Sequence, residues 1–158
     1  MAIQFREATD SDVEVLMRYN CQLAWETEQK TLDEATVRRG VSTALKLSPE
    51  VRYFVAESAG EVLGQLMLTR EWSDWRNGWM SWLQSVYVRQ QSRGQGVFRG
   101  LLNYAMETLK RTDHSVCLRL YVEHENSSAM DCYTRLQFEK AGYLVMERSL
   151  VDSEKETH

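Results

Sequence analysis

The residues best able to do chemistry lie in the run Ser85-Val-Tyr-Val-Arg-Gln-Gln-Ser-Arg-Gly-Gln-Gly-Val-Phe-Arg-Gly-Leu-Leu102. An apolar strand pattern gives way there to a glycine-rich turn, and the turn opens an amphipathic helix. Such a turn aims the unpaired N–H groups of the first helical turn, and the positive end of the helix dipole, toward one point. Gly94 and Gly96 let the main chain approach an anion, and Arg93 and Arg99 add charge. A pyrophosphate suits such a site. The run lacks the Gly-Lys-Ser/Thr ending of a nucleoside triphosphate loop, so that chemistry is not expected. A solvent-facing turn whose glycines serve only as caps explains these features equally well.

The elements that must position this turn follow from periodicity and punctuation. Ile3 to Glu7 alternates as a short strand, and Thr9-Asp10 opens a helix with Val13, Leu16, Met17, Leu23 and Ala24 on one face. Thr31 to Glu34 reads as a capping box before a second helix with Val37, Val41, Ala44 and Leu45 inward. Arg52 to Ser58 and Glu61 to Thr69 form a hairpin about Ala59-Gly60, and Trp79 to Val88 is a longer strand. The next helix turns Val97, Leu101, Leu102, Ala105, Met106 and Leu109 to one side. Val116 to Glu123 reads as a strand, Ser127 to Leu136 as a helix, and Glu139 to Tyr143 and Val145 to Leu150 as closing strands. The order β-α-α-β-β-β-α-β-α-β-β predicts an α/β (α+β) fold, a mixed sheet of about seven strands with helices on both faces. Residues 1–151 are expected to be one domain, followed by a polar tail at 152–158.

Composition narrows the class. The 158 residues carry a net charge of -4, and no basic stripe marks a nucleic-acid binder. No apolar run approaches a membrane span, and the N-terminus does not read as a signal peptide. Cys21, Cys117 and Cys132 show neither disulfide nor metal spacing, and His114 and His124 lack a third ligand, so no metal is expected. A cytoplasmic protein is the expectation.

A second motif follows the first: Asn126-Ser-Ser-Ala129-Met-Asp-Cys-Tyr133-Thr-Arg-Leu136-Gln-Phe138. Val86-Tyr-Val88 with Arg93-Gly-Gln-Gly96 resembles the pyrophosphate motif of GNAT acetyltransferases, Arg/Gln-x-x-Gly-x-Gly/Ala. The Asn-x-x-Ala-x-x-x-Tyr-x-x-x-Phe pattern resembles that superfamily's second cofactor motif. The two stand in the family's order, with the expected strand between them. The resemblance implies an N-acetyltransferase moving the acetyl group of acetyl-CoA directly to a primary amine. It implies that Val86, Tyr87 and Val88 pair with the pantetheine arm through their backbone. The N–H groups of Gly94, Gln95, Gly96, Val97, Phe98 and Arg99 would hold the pyrophosphate beside Arg93. Asn126 would reach the cofactor near the thioester, and Tyr133 would be the general acid that protonates the departing thiolate. Phe98 and Gln137 depart from the pattern, standing where the family has Gly/Ala and Gly. Homodimers are common in the family and expected here. A non-catalytic CoA-binding module of the same fold is the alternative reading.

An attacking amine must be neutral, so a carboxylate or ordered water has to take its proton. Relatives often carry a base where this chain has Tyr121. The role then passes to Glu71, Asp74, Glu123, Glu26 or Glu28, with Glu71 favoured as the residue leaving the third strand. Trp72, Asp74 and Trp75, with Trp25 and Glu28, are expected to build one aromatic, acidic mouth for a cationic amine.

Overall fold

The computed structural model describes residues 2–151. The polar tail expected at 152–158 lies outside the described residues. Two compact units divide the chain, one ending at Leu120 and the other starting at Tyr121.

The first unit is built on a sheet of five strands in the order β1-β2-β3-β4-β5. These are β1 (Gln4–Glu7), β2 (Val51–Ser58), β3 (Glu61–Ser73), β4 (Gly78–Val88) and β5 (Ser115–Arg119). The first four are antiparallel neighbours and β5 runs parallel to β4. Two-residue alternation along β2 assigns its side chains to two cores. Tyr53 and Val55 face α1 (Val13–Glu28) and α2 (Glu34–Ala44), packing with Leu16 and Val41. Phe54 points the other way, toward α3 (Val97–Thr108), and meets the Tyr104 ring edge-on at 6.0 Å. Val97, Leu101, Leu102 and Ala105 of α3 are all buried, which is the inward face read from the sequence.

Local chemistry explains most boundaries. Ala59 and Gly60 both take positive φ, 52° and 78°, as the tight β2–β3 hairpin requires. Asp33, not Thr31, caps α2, its carboxylate accepting from Thr36 N at 3.0 Å. The Arg52 guanidinium ties two elements together, pairing with Glu7 of β1 and with Asp113 at the end of the turn that follows α3.

The second unit holds α4 (Ser127–Arg135), whose N-cap Asn126 accepts from Ala129 N at 3.1 Å. Its sequence-predicted strands at Glu139–Tyr143 and Val145–Leu150 do not form, so the described sheet has five strands rather than about seven. Gly142, inside the first of these runs, takes φ 81°, which a continuous strand does not hold. A strand exists only through a paired neighbour, and apolar alternation does not supply one. Leu144, Met146 and Leu150 accordingly stand at least nine-tenths exposed.

Candidate active site

The chemistry-bearing turn of the first unit begins where β4 leaves the sheet. β4 pairs with β5 only from Trp79 to Trp82, so the edge from Leu83 to Val88 has no strand partner on that side among the described residues. Its other edge pairs with β3, Tyr87 opposite Gln65 and Val88 opposite Gly64. Between Gln84 and Tyr87 the register slips, and Ser85 adopts φ 52°. This is a β-bulge, with one more residue on β4 than on β3, and it bends the strand. Past the bulge, Val86, Tyr87 and Val88 present main-chain groups that can pair with an extended, amide-bearing ligand.

After Val88 the chain makes a short 3₁₀ turn at Gln90–Ser92 and reaches Gly94 and Gly96, both left-handed at φ 75° and 78°. Glycine suits both positions, since a side chain in that region is strained. Nothing lies within 4 Å of where a Cβ would stand on either residue, so the turn is open to a bulky group. Gly96 is the N-cap of α3, and the first N–H groups of that helix converge beyond it. Val97 anchors the turn from beneath, 2 % exposed, while Gln95 Nε2 donates to Gln91 O at 3.1 Å. Gly64 permits this approach: a Cβ there would stand 2.9 Å from Tyr87 O and 3.3 Å from Val97 Cγ1. Phe98 is half-buried and Arg99 exposed.

Arg93 is fastened rather than extended. Its Nη2 lies 2.6 Å from Glu26 Oε2, and its Nε donates to Val88 O at 2.8 Å. Tyr87 Oη donates to the other Glu26 oxygen at 3.0 Å, and the Arg93 guanidinium sits 5.3 Å from the Tyr87 ring centre. Burial first, and then the Glu26 carboxylate, push the Tyr87 phenol above its usual pKa, so it stays a donor at neutral pH. Glu26 thus joins the end of α1 to the glycine turn. Sequence reading had placed Glu26 only among the possible bases, because a contact across 67 residues leaves no local trace.

The five residues expected to form one mouth do not come together. Trp72 packs against Trp79 at 5.1 Å, beside the β3–β4 turn that carries Asp74 and Trp75. Trp25 and Glu28 lie at the end of α1, flanking the Glu26 that reaches Tyr87. Trp79 and Tyr87 are eight residues apart on β4, roughly 26 Å at the rise of a strand. Glu71, opposite Met80, sits toward the Trp79 end and accepts from Trp82 Nε1 at 2.9 Å. β3 runs on to Ser73, past its expected end at Thr69, and so holds Trp72 on the sheet against Trp79.

In the second unit, Tyr133 of α4 stacks edge-on against Phe138 at 5.6 Å. Burial raises its phenol above the ordinary pKa, with Cys132 adding to the rise. Gln137, where the resembled motif has Gly, takes φ 72°, which explains why glycine is the usual residue there. The side-chain oxygen of Asn126 is occupied in capping α4, while its NH₂ is not used in that cap.

Comparison with known proteins matches residues 17–138 to the Acetyltransferase (GNAT) family. An aminoalkylphosphonate N-acetyltransferase of Salmonella typhimurium is 29% identical over 108 residues, spanning 68% of this chain and 67% of the relative. The crystal structure of a possible acetyltransferase from Clostridium difficile 630 is 37% identical at a TM-score of 0.89, covering 96% of this chain and 100% of that one. A predicted acetyltransferase from Clostridium acetobutylicum, solved with acetyl-CoA, shares the fold at 15% identity and a TM-score of 0.75, covering 92% of this chain and 96% of that one.

Proposed function

The chain belongs to the GNAT acetyltransferase family, and from that premise we propose that it transfers the acetyl group of acetyl-CoA to a primary amine. The observation that carries the reading is the unpaired β4 edge running into an open, left-handed glycine turn at the head of α3. An extended amide chain ending in a pyrophosphate matches that sequence of features. When bound, acetyl-CoA supplies an activated acyl group whose C–S bond breaks as the amine nitrogen forms its new C–N bond. The backbone of Val86, Tyr87 and Val88 orients the pantetheine arm. The N–H groups from Gly94 to Arg99 hold the phosphates, with Arg93 and Arg99 as nearby charge. Tyr133 gives its proton to the departing sulfur, and Asn126 donates near the thioester. Similarity to an N-acetyltransferase of aminoalkylphosphonates supports a primary amine as acceptor.

Calorimetric titration of acetyl-CoA tests the reading and separates the two partners of the Arg93–Glu26 pair. Arg93→Ala removes a charge from the phosphate end and is expected to weaken binding roughly tenfold, the value of one charge-assisted hydrogen bond. Glu26→Gln removes a carboxylate from the same end and leaves Arg93 its charge, so binding should hold or tighten. Absence of binding by folded wild type would defeat the acetyltransferase reading.

On the acceptor side, Trp25 and Glu28 flank the Glu26 that bonds Tyr87, the middle residue of the edge assigned to the pantetheine arm. They are proposed to receive the amine. Glu71 is the proposed base only for an acceptor long enough to reach along β3. Trp25→Ala should raise acceptor KM severalfold, whereas Trp72→Ala should leave it unchanged. Equal effects of the two changes would return the five residues to a single mouth.

A further inference from the structure

Behind the bulge of β4 lies a ring of polar side chains, linked by three hydrogen bonds, that no motif announces. Gln65 is fully buried in the middle of β3 and uses both amide hydrogens. Its Nε2 donates to Ser85 O at 3.1 Å and to Asn20 Oδ1 at 3.2 Å. Asn20 Nδ2 donates to Tyr53 Oη at 3.1 Å, and the Tyr53 hydroxyl stands near the Ser85 side chain. Three residues, from α1, β2 and β3, therefore gather behind Ser85, the one residue of β4 that has left-handed backbone.

The ring is a poor device for stability. Gln65 Oε1 is buried with no hydrogen-bond partner, and Ser85 holds a conformation that side chains rarely adopt. An apolar side chain at Gln65 would avoid the first cost and fit the run Val62–Leu68. What the ring accomplishes is geometric. It grips the Ser85 carbonyl from behind, which prevents the extra residue from slipping along the ladder. The direction in which Val86, Tyr87 and Val88 leave the sheet depends on that grip.

We propose that Gln65, with Asn20 and Tyr53, is a positioning residue for acyl transfer, locking the Ser85 bulge so that the Val86–Val88 edge is held at its working angle. This rests on the acetyl-transfer reading above. Small displacements of a reactive group can cost two orders of magnitude in rate, so the expected effect falls on kcat more than on binding.

The test compares wild type with Gln65→Met, which keeps volume and removes the amide, and with Tyr53→Phe, which removes only the hydroxyl. Gln65→Met should lower kcat roughly 10–100-fold, with acetyl-CoA KM little changed and thermal midpoint not reduced. Amide hydrogen exchange across residues 84–88 of the unliganded protein should speed up, and exchange in α3 should not. The double variant should be no slower than Gln65→Met alone, because either change opens the same ring. Unchanged kcat in an active protein, or unchanged exchange at the bulge, overturns the proposal. So does a large fall in thermal midpoint with exchange faster everywhere, since that assigns Gln65 to the core and nothing more. Wild type that neither binds acetyl-CoA nor acetylates amines would instead overturn the function reading, and bulge exchange would still decide the role of the ring.

Discussion

Tyr133→Phe is expected to lower kcat about 10²–10⁴-fold, the usual contribution of a positioned general acid, while acetyl-CoA binding remains. The phenol is half-buried, and burial is the main cause that lifts its pKa above the ordinary value of about 10. A raised phenol pKa favours the protonated form, which is the form that can donate to a thiolate. The sign of the pH dependence follows. Activity that requires the acid form persists through neutral pH and is lost only as pH rises past the raised phenol value, on the far alkaline side. The Phe138 ring packs edge-on against the Tyr133 ring at 5.6 Å, a ring contact that the Phe variant keeps. A kcat retained within about threefold in Tyr133→Phe would mean that water delivers the proton. In that case the alkaline limb should also survive the substitution.

The second large effect is on stability. Phe54→Ala should cost about 3–5 kcal/mol, the range for a large buried aromatic cut to a methyl group. Phe54 is fully buried on β2, against the Tyr104 edge from α3 and with the Arg52 guanidinium 5.3 Å from its ring. Two packed layers meet there, so collapse into the cavity would require both α3 and the sheet to move. Urea denaturation should show a lower midpoint at an unchanged slope. Leu144→Ala is the control, since Leu144 is 91 % exposed and its loss should stay within about 0.5 kcal/mol. A Phe54→Ala loss below about 1 kcal/mol would show that Phe54 is not tightly packed between β2 and α3.

Several parts of this molecule could be read without coordinates because their causes are local. The glycine turn is one, since Gly94 and Gly96 both prove left-handed and Gly96 caps α3. The inward stripe Val97, Leu101, Leu102 and Ala105 is another, because helical periodicity needs no knowledge of the partner. The Ala59-Gly60 hairpin belongs with them. Contacts between distant segments left weaker traces. Gln65 interrupts an apolar strand, and that single polar residue was a legible hint of a buried amide. Nothing in the sequence pointed from it to Asn20, Tyr53 and Ser85.

What the sequence by itself determined was the order of elements up to α4, the glycine turn after β4 that opens α3, and the family to which both motifs point. Each follows from steric preference, periodicity or spacing over a few residues. What only the tertiary structure decided was register and partnership. It placed Trp72 on a lengthened β3 against Trp79, and Trp25 next to the Glu26 that bonds Tyr87. It gave Arg93 to Glu26 and Ser85 to Gln65, and it left residues 139–151 without strand neighbours. The physical reason is common to all of these. A hydrogen bond or ion pair between distant residues depends on which faces the whole sheet and its helices bring together, and no window of sequence contains that information.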